Sequence, residues 1–200
     1  MGAALVKQLS RAGHRITITA RSQEKAQALA QQHSNTVAVH ANGAAEGVDA
    51  VIVATGYADA VPALQAVGNL QGKVVIDITN PLTPDYMGLT LGHDTSAAEE
   101  ISRALPGAHV VKAFNTLFAQ VLAEGADFGQ GRVATVFVAS DSERASQTAT
   151  AMAESMGFAV QAAGGLHNAR YLEPLAGLNI YLGYGAGLGT SIAPTWIARG

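Results

Sequence analysis

The 200-residue sequence predicts an α/β fold in which helices cover a mostly parallel, doubly wound sheet. Short runs rich in β-branched residues alternate along the chain with segments of helical periodicity. Two central runs, "VIVA" and "VVID", are apolar except for the aspartate, as expected for strands that helices cover on both faces. The alternation therefore indicates crossover connections between parallel strands.

The elements follow in a regular order after an initial amphipathic helix that contains Leu5, Val6 and Leu9. Strands are predicted over residues 15–20, 36–40, 49–55, 73–78, 109–114, 133–140 and 158–164. Helices are predicted between them, over residues 22–33, 58–67, 96–105, 116–124 and 142–156. Several of these helices begin at Ser, Thr or Asp, which are residues that cap helix N-termini.

The sequence begins with a helix where such a fold normally has a strand. A dinucleotide-binding unit runs from a strand through a G-x-G-x-x-G turn into a helix, and its second strand ends roughly 20 residues later. Gly2 stands where the last glycine of that turn would be, and the next strand ends near Arg21. We therefore expect a sheet that lacks its usual first strand, with roughly twenty or fewer residues missing before Met1.

The composition excludes several classes of function. A net charge of −3 and scattered Lys and Arg residues leave no basic stripe for nucleic acid or an anionic membrane surface. The chain has no cysteine, and its six histidines lack metal-ligand spacing, so we expect no metal site. Charged residues interrupt the first apolar segment, which argues against a signal peptide. We expect a cytoplasmic protein whose partners are small molecules.

A change of composition after Gly164 divides the chain into a nucleotide-binding domain, 1–164, and a helical, Gly-rich segment, 165–200. The second part carries no charge between Glu173 and Arg199. A membrane span is disfavoured because four glycines fall within residues 183–189. We expect this segment to line a pocket or a subunit interface. The alternative is a buried helix followed by a Gly-rich coil.

The end of the strand over 15–20 predicts which dinucleotide is bound. An enzyme that uses NAD usually has an acidic residue there for the ribose hydroxyls, but this sequence reads "ARSQEK". Arg21, the Ser22 hydroxyl and Lys25 can instead surround a doubly charged 2′-phosphate, which favours NADP(H). The alternative is a serine-capped helix that carries two solvated cations.

Two further strand ends are predicted to meet the cofactor, because the carboxyl ends of parallel strands line one crevice. Thr55, Gly56 and Tyr57 follow one strand, and Asn80 and Pro81 follow the next. Gly56 would permit close backbone approach, and Tyr57 would cover the cofactor. Asn80 and Pro81 are also common turn residues, so a purely structural role stays open for them.

The strand over 109–114 leads to Asn115 and Thr116 at the same crevice. Asn115 is the candidate catalytic residue, because its amide can hydrogen-bond to the nicotinamide. Thr116 is predicted to bind the cofactor, or else to cap the following helix. A buried Lys112 would need a partner, for which Asp77 is one candidate. No nucleophile with an adjacent base is recognisable.

The segments "TARSQEKA", "DITNPL", "VVKAFNTL" and "NARYLEPLAGLNIYLG" occur in this order along the chain. In them the sequence resembles the NADPH-dependent oxidoreductases of the coenzyme F420 reductase family, and it is also similar to the cytosolic domains of six-transmembrane metalloreductases. The resemblance implies a Rossmann domain with a small C-terminal helical part. It further implies a homodimer and hydride transfer between NADPH and F420, FAD or FMN.

The resemblance also implies roles for individual residues. It assigns the 2′-phosphate to Arg21, Ser22 and Lys25, as the residue pattern does. The nicotinamide side falls on Tyr57, Asn80, Pro81 and Asn115. The ring-binding pocket or the dimer contact falls on Asn168, Leu172 and Leu175.

Two other functions stay open. One is reduction of a small imine or carbonyl, which would need a proton donor such as Tyr57 or Tyr171. The other is a non-catalytic NADP-binding protein or a truncated relic without activity. Hydride transfer between two cofactor rings suits this sequence better, because it needs no acid–base pair from the protein.

Overall fold

The computed structural model describes residues 1–197 and Arg199. The helices are α1 (Gly2–Arg11), α2 (Gln23–Ala30), α3 (Ala60–Ala66), α4 (Ala97–Ala104), α5 (Ala119–Glu124), α6 (Glu143–Ser155) and α7 (Ala169–Ile180). The strands are β1 (Ile16–Ile18), β2 (Thr36–Ala38), β3 (Ala50–Val53), β4 (Val74–Asp77), β5 (His109–Lys112), β6 (Thr135–Val138) and β7 (Ala159–Ala162). Short 3₁₀ turns precede α3 and α7, and a π-helical turn over Tyr181–Gly185 follows α7.

All the predicted strands and helices are confirmed, although most are shorter than the predicted ranges. The helix predicted over 116–124 has the wrong start, since α5 begins at Ala119 with Phe118 at its N-cap position. The backbone of Phe114 lies in the left-handed region, with φ of 60°, and it turns the chain away from helical geometry directly after β5. The alternative role of Thr116 as the helix cap is therefore wrong.

The strands form parallel ladders. β1 pairs with β2, β4 lies between β3 and β5, and β6 pairs with β7. An antiparallel bridge between Lys112 and Ala139 joins β5 to the end of β6, so the architecture is mostly but not wholly parallel. Within the described residues no ladder joins β1 to β3.

Helices cover both faces of the central strands, which confirms the doubly wound α/β prediction. Val74 and Ile76 of β4 pack in one apolar cluster with residues of α1, α5 and α6. Val75, between them, points the other way and packs in a second cluster with residues of α3 and α4. None of the helices formed by residues 1–197 combines the length and the hydropathy needed to cross a bilayer.

Candidate functional site

The end of β1 places three predicted phosphate contacts at the start of α2. Ser22 is the N-cap of α2, and its hydroxyl accepts a hydrogen bond from the Lys25 backbone N–H at 3.3 Å. The side chains of Arg21 and Lys25 are exposed, Arg21 by 93%. The Arg21 guanidinium lies 3.6 Å from the Asp59 carboxylate, which is itself half-exposed. Exposed ion pairs of this kind contribute little to stability, so an incoming anion can replace Asp59 easily.

The end of β3 presents a second group of predicted contacts. Thr55 and Gly56 are exposed, and Tyr57 begins the 3₁₀ turn that leads into α3. A Cβ added at Gly56 would meet no protein atom within 4 Å, and its backbone conformation is open to any residue. A Cβ added at Gly2, the first residue of α1, would lie 3.5 Å from Ala54 Cβ. The start of α1 is therefore next to the end of β3.

Tyr57 stands near the acidic groups of the neighbouring elements. Burial raises the pKa of its hydroxyl above the ordinary value, and Glu100, Glu173 and Asp77 raise it further. The hydroxyl therefore stays protonated at neutral pH, where it can donate a hydrogen bond.

The ends of β4 and β5 are joined by a pair of asparagines. Asn80 Nδ2 donates to the Asn115 carbonyl at 2.9 Å, and Asn115 Nδ2 donates to Asn80 Oδ1 at 3.0 Å. Asn115 Nδ2 also donates to the Leu172 carbonyl of α7 at 3.0 Å. These acceptors fix the orientation of the Asn115 amide, because its nitrogen must face them. The structure thus brings Asn80 and Asn115 together, with Pro81 and Thr116 as their chain neighbours.

Several buried polar atoms at this edge have no hydrogen-bond partner in the described part of the chain. They are Asn115 Oδ1, Thr79 Oγ1 and Thr116 Oγ1. Each follows β4 or β5 within four residues, whereas buried polar atoms are usually paired. Phe114, whose left-handed backbone is unusual for a residue with a side chain, lies between β5 and Asn115. Unpaired atoms and local strain are typical of functional sites.

A fully buried ion cluster lies beneath these strand ends. Lys112 Nζ is 2.6 Å from Asp77 Oδ2, which confirms the predicted pair, and 2.8 Å from Glu173 Oε1. It also donates to the Thr79 carbonyl at 2.7 Å. Burial raises the pKa of Glu173, while the Lys112 ammonium and the Ala97 backbone amide oppose that rise. Three oxygens lie within 2.8 Å of Lys112 Nζ, so this amine is not placed to act as a nucleophile.

The C-terminal helix places the remaining predicted residues. Asn168 donates to the Ala163 carbonyl at 2.5 Å, at the end of β7. Leu172 and Leu175 of α7 line a groove of about 590 Å³, together with Tyr171 and Trp196. Phe137 of β6 and Gln161 of β7 also line the groove, whereas the Leu172 carbonyl accepts a hydrogen bond from Asn115. The residues of 1–197 and Arg199 form no cluster of His, Asp or Glu suited to a metal ion.

Sequence reasoning missed three contacts at the site: the Asp59 carboxylate beside Arg21, the Leu172 carbonyl on Asn115, and Glu173 on Lys112. The burial of Glu173 could have been predicted, because it is the last acidic residue before an uncharged stretch and its neighbours are apolar. An acid in such a place is expected to be buried with a partner. The other two contacts left no signal in the residue pattern.

Comparisons with known proteins point to one family. A family model described as "NADP oxidoreductase coenzyme F420-dependent" matches residues 1–81. The crystal structure of a candidate F420-dependent NADP reductase from Arthrobacter sp. FB24 has a TM-score of 0.83 and 29% identity, and the match covers 99% of this chain and 94% of that one. A hypothetical protein from Sinorhizobium meliloti has a TM-score of 0.74 and 30% identity, with 82% and 80% covered.

A curated relative is similar over a shorter stretch. The metalloreductase STEAP3 of Rattus norvegicus is 34% identical over 106 residues, which are 53% of this chain and 20% of that protein. The chain thus matches about a fifth of the length of this relative.

Proposed function

Because the chain belongs to the family of coenzyme F420-dependent NADP oxidoreductases, we propose that it binds NADP(H) in the crevice and exchanges a hydride with a flavin or F420-type deazaflavin ring. The observation that carries the proposal is the exposed pair of Arg21 and Lys25 where NAD enzymes place a carboxylate. When bound, the cofactor supplies the hydride from its nicotinamide ring. The chain's own residues bind and orient it.

The residues at the crevice fit this cofactor. Arg21 offers a planar fork and Lys25 a point charge to a 2′-phosphate, and the Ser22 hydroxyl keeps its proton free to donate. The first backbone amides of α1, from Gly2 onward, lack helical partners and suit diphosphate oxygens. The open space at Gly56 leaves room for a cofactor beside the backbone. Thr55 and Tyr57 flank that space.

Replacing Gly56 with alanine is expected to leave the thermal midpoint Tm unchanged and to weaken NADPH binding roughly tenfold, since overpacking a close contact costs about 1–3 kcal/mol. The new methyl group meets no protein atom within 4 Å, so only a bound ligand can collide with it. Thermal unfolding and calorimetric titration with NADPH measure the two effects. An unchanged NADPH affinity would remove Gly56 from the cofactor site.

Asn115 is proposed to orient the nicotinamide side of the crevice. Its nitrogen is committed to Asn80 and Leu172, which leaves Oδ1 as the atom free to accept a bond from the cofactor. Since the rings carry the chemistry, an Asn115→Ala variant should slow turnover without abolishing it. Thr116 and Pro81 are proposed to shape the same wall.

We propose a homodimer formed through the exposed surface of α7 and of the residues that follow it. Tyr171, Leu178, Tyr181, Tyr184 and Leu188 are large, exposed and apolar there. Residues 174–198 carry no charge, so two copies of this surface can meet without repulsion. Light scattering at several protein concentrations tests this, and a monomer at every concentration would contradict it.

The acceptor is tested by following NADPH oxidation with F420, FMN and FAD, and separately with a small imine and a ketone. Turnover with a deazaflavin or flavin supports the proposal. Turnover only with the imine or ketone would support the alternative reductase, with protonated Tyr57 as its proton donor. NADPH binding without turnover on any acceptor would support a non-catalytic protein.

A further inference from the structure

The buried ion cluster connects elements that are distant in sequence. Lys112 at the end of β5 holds the carboxylate of Asp77 at 2.6 Å and the carbonyl of Thr79 at 2.7 Å, both at the end of β4. It also holds Glu173, which comes from α7, at 2.8 Å. The two strand ends and the C-terminal helix are thus fixed to one ammonium group.

Glu173 uses both of its carboxylate oxygens for a further attachment. Oε2 accepts the Ala97 backbone N–H at 2.9 Å, and Oε1 accepts the Ala98 N–H at 3.2 Å. These amides are the first two of α4, where a negative charge also meets the positive end of the helix dipole. The side chain is 2% exposed. One carboxylate therefore sets the position of α7 relative to α4 and to β5.

These contacts connect Glu173 to the residues at the cofactor crevice. Leu172 directly precedes Glu173, and its carbonyl accepts the Asn115 amide at 3.0 Å. Asn115 is paired with Asn80, which follows the Thr79 carbonyl that Lys112 holds. A shift of Glu173 therefore moves the carbonyl that orients Asn115.

We infer that Glu173 is a positioning residue for the proposed hydride transfer, because it holds α7 where the Leu172 carbonyl and Asn115 define the nicotinamide side of the crevice. This inference rests on the proposed function. Transfer needs donor and acceptor atoms about 3–3.5 Å apart, and a misplacement of about 1 Å can slow a reaction about 100-fold. For stability alone, apolar residues can replace a buried ion cluster without loss, so stability does not account for its place under the site.

The matched pair of variants is Glu173→Asp and Arg170→Gln. The first keeps the charge but withdraws it by one methylene from Lys112. The second breaks another contact between α7 and α4, because the Arg170 guanidinium donates to both Glu99 oxygens, at 2.9 and 2.7 Å, in a partly buried position. Arg170 touches neither Lys112 nor Asn115 in the described contacts, so it reports the effect of loosening α7 alone.

We expect Glu173→Asp to lower kcat about 10–100-fold while the NADPH Kd stays within about threefold. Arg170→Gln should leave kcat within about twofold. Equal kcat values for the two variants and the wild type would overturn the inference and leave Glu173 a structural residue. If Glu173→Asp does not fold, Glu173→Gln can replace it, because it keeps the side-chain length. We expect Glu173→Gln to lower kcat by a smaller factor and to leave the NADPH Kd nearly unchanged.

An acceptor-independent measurement separates this inference from the proposed function. Amide hydrogen exchange over residues 113–117 should be about tenfold faster in Glu173→Asp than in Arg170→Gln, without cofactor present. Equal exchange in this segment would overturn the inference even if turnover is found. Faster exchange with a wild type that oxidises no NADPH would support the coupling of Glu173 to Asn115 and refute the proposed function.

Discussion

Replacing Lys112 with methionine is expected to lower the free energy of unfolding by about 3–5 kcal/mol, because it leaves two buried carboxylates without their cation. Lys112 is fully buried, and its ammonium contacts Asp77, Glu173 and the Thr79 carbonyl. In a domain of this size the loss corresponds to a fall in Tm of roughly 6–20 °C. Chemical denaturation and calorimetry measure it.

The matched control is Lys73→Met. The Lys73 ammonium also donates to a backbone carbonyl, that of Val48 at 3.0 Å, but from a partly buried position. A hydrogen bond of this kind contributes about 1 kcal/mol, so the control should change stability far less. A Lys112→Met variant as stable as the control would show that the cluster is not an ion cluster in solution.

The pH dependence of the same variant follows from the pKa of Glu173. Burial already raises that pKa, and removing Lys112 removes a group that lowers it. A raised folded-state pKa gives stability that is present below the unfolded pKa and lost as the pH rises through the folded value. The difference in the free energy of unfolding between the wild type and Lys112→Met should therefore be larger at pH 8 than at pH 5. A difference that grows on acidification would contradict this explanation.

Replacing Arg21 with alanine is expected to raise the Kd for NADPH about 10–100-fold and to change the Kd for NADH less than about twofold. Charge-assisted hydrogen bonds are worth about 1.5–3 kcal/mol, and a tenfold change in Kd corresponds to about 1.4 kcal/mol. The side chain is 93% exposed, so Tm should not change. Calorimetric titration with both nucleotides gives the two constants.

The control for Arg21 is Arg11→Ala. Arg11 is also exposed, but it lies in the last turn of α1, at the opposite end of that helix from the crevice. Arg11→Ala should leave the Kd of both NADPH and NADH unchanged. Equal loss of NADPH and NADH affinity in Arg21→Ala would contradict the 2′-phosphate assignment and favour the interpretation of Arg21 and Lys25 as solvated cations.

The fold was predictable from sequence because its signals are local. Apolar strand runs such as the one that contains Val75 and serine caps such as Ser22 act within a few residues. The pairing of Lys112 with Asp77 was also predictable, since a buried cation requires an anion and these residues end adjacent parallel strands.

The contacts that complete the site were not predictable, because they depend on how distant elements pack. The attachment of Glu173 to Lys112 requires the position of α7, which periodicity does not give. The predicted start of α5 at residue 116 was wrong, because the left-handed backbone of Phe114 overrides the helical pattern that follows it. The approach of Asp59 to Arg21 likewise depends on the path of the turn before α3.

The central claim is that the residues after β1 select NADP(H), and titration of the wild-type protein with NADPH and NADH under identical conditions tests it most directly. The account predicts that NADPH binds at least about tenfold more tightly, and that added salt reduces this preference by screening the 2′-phosphate contacts. Equal affinities for the two nucleotides, or tighter binding of NADH, would contradict it.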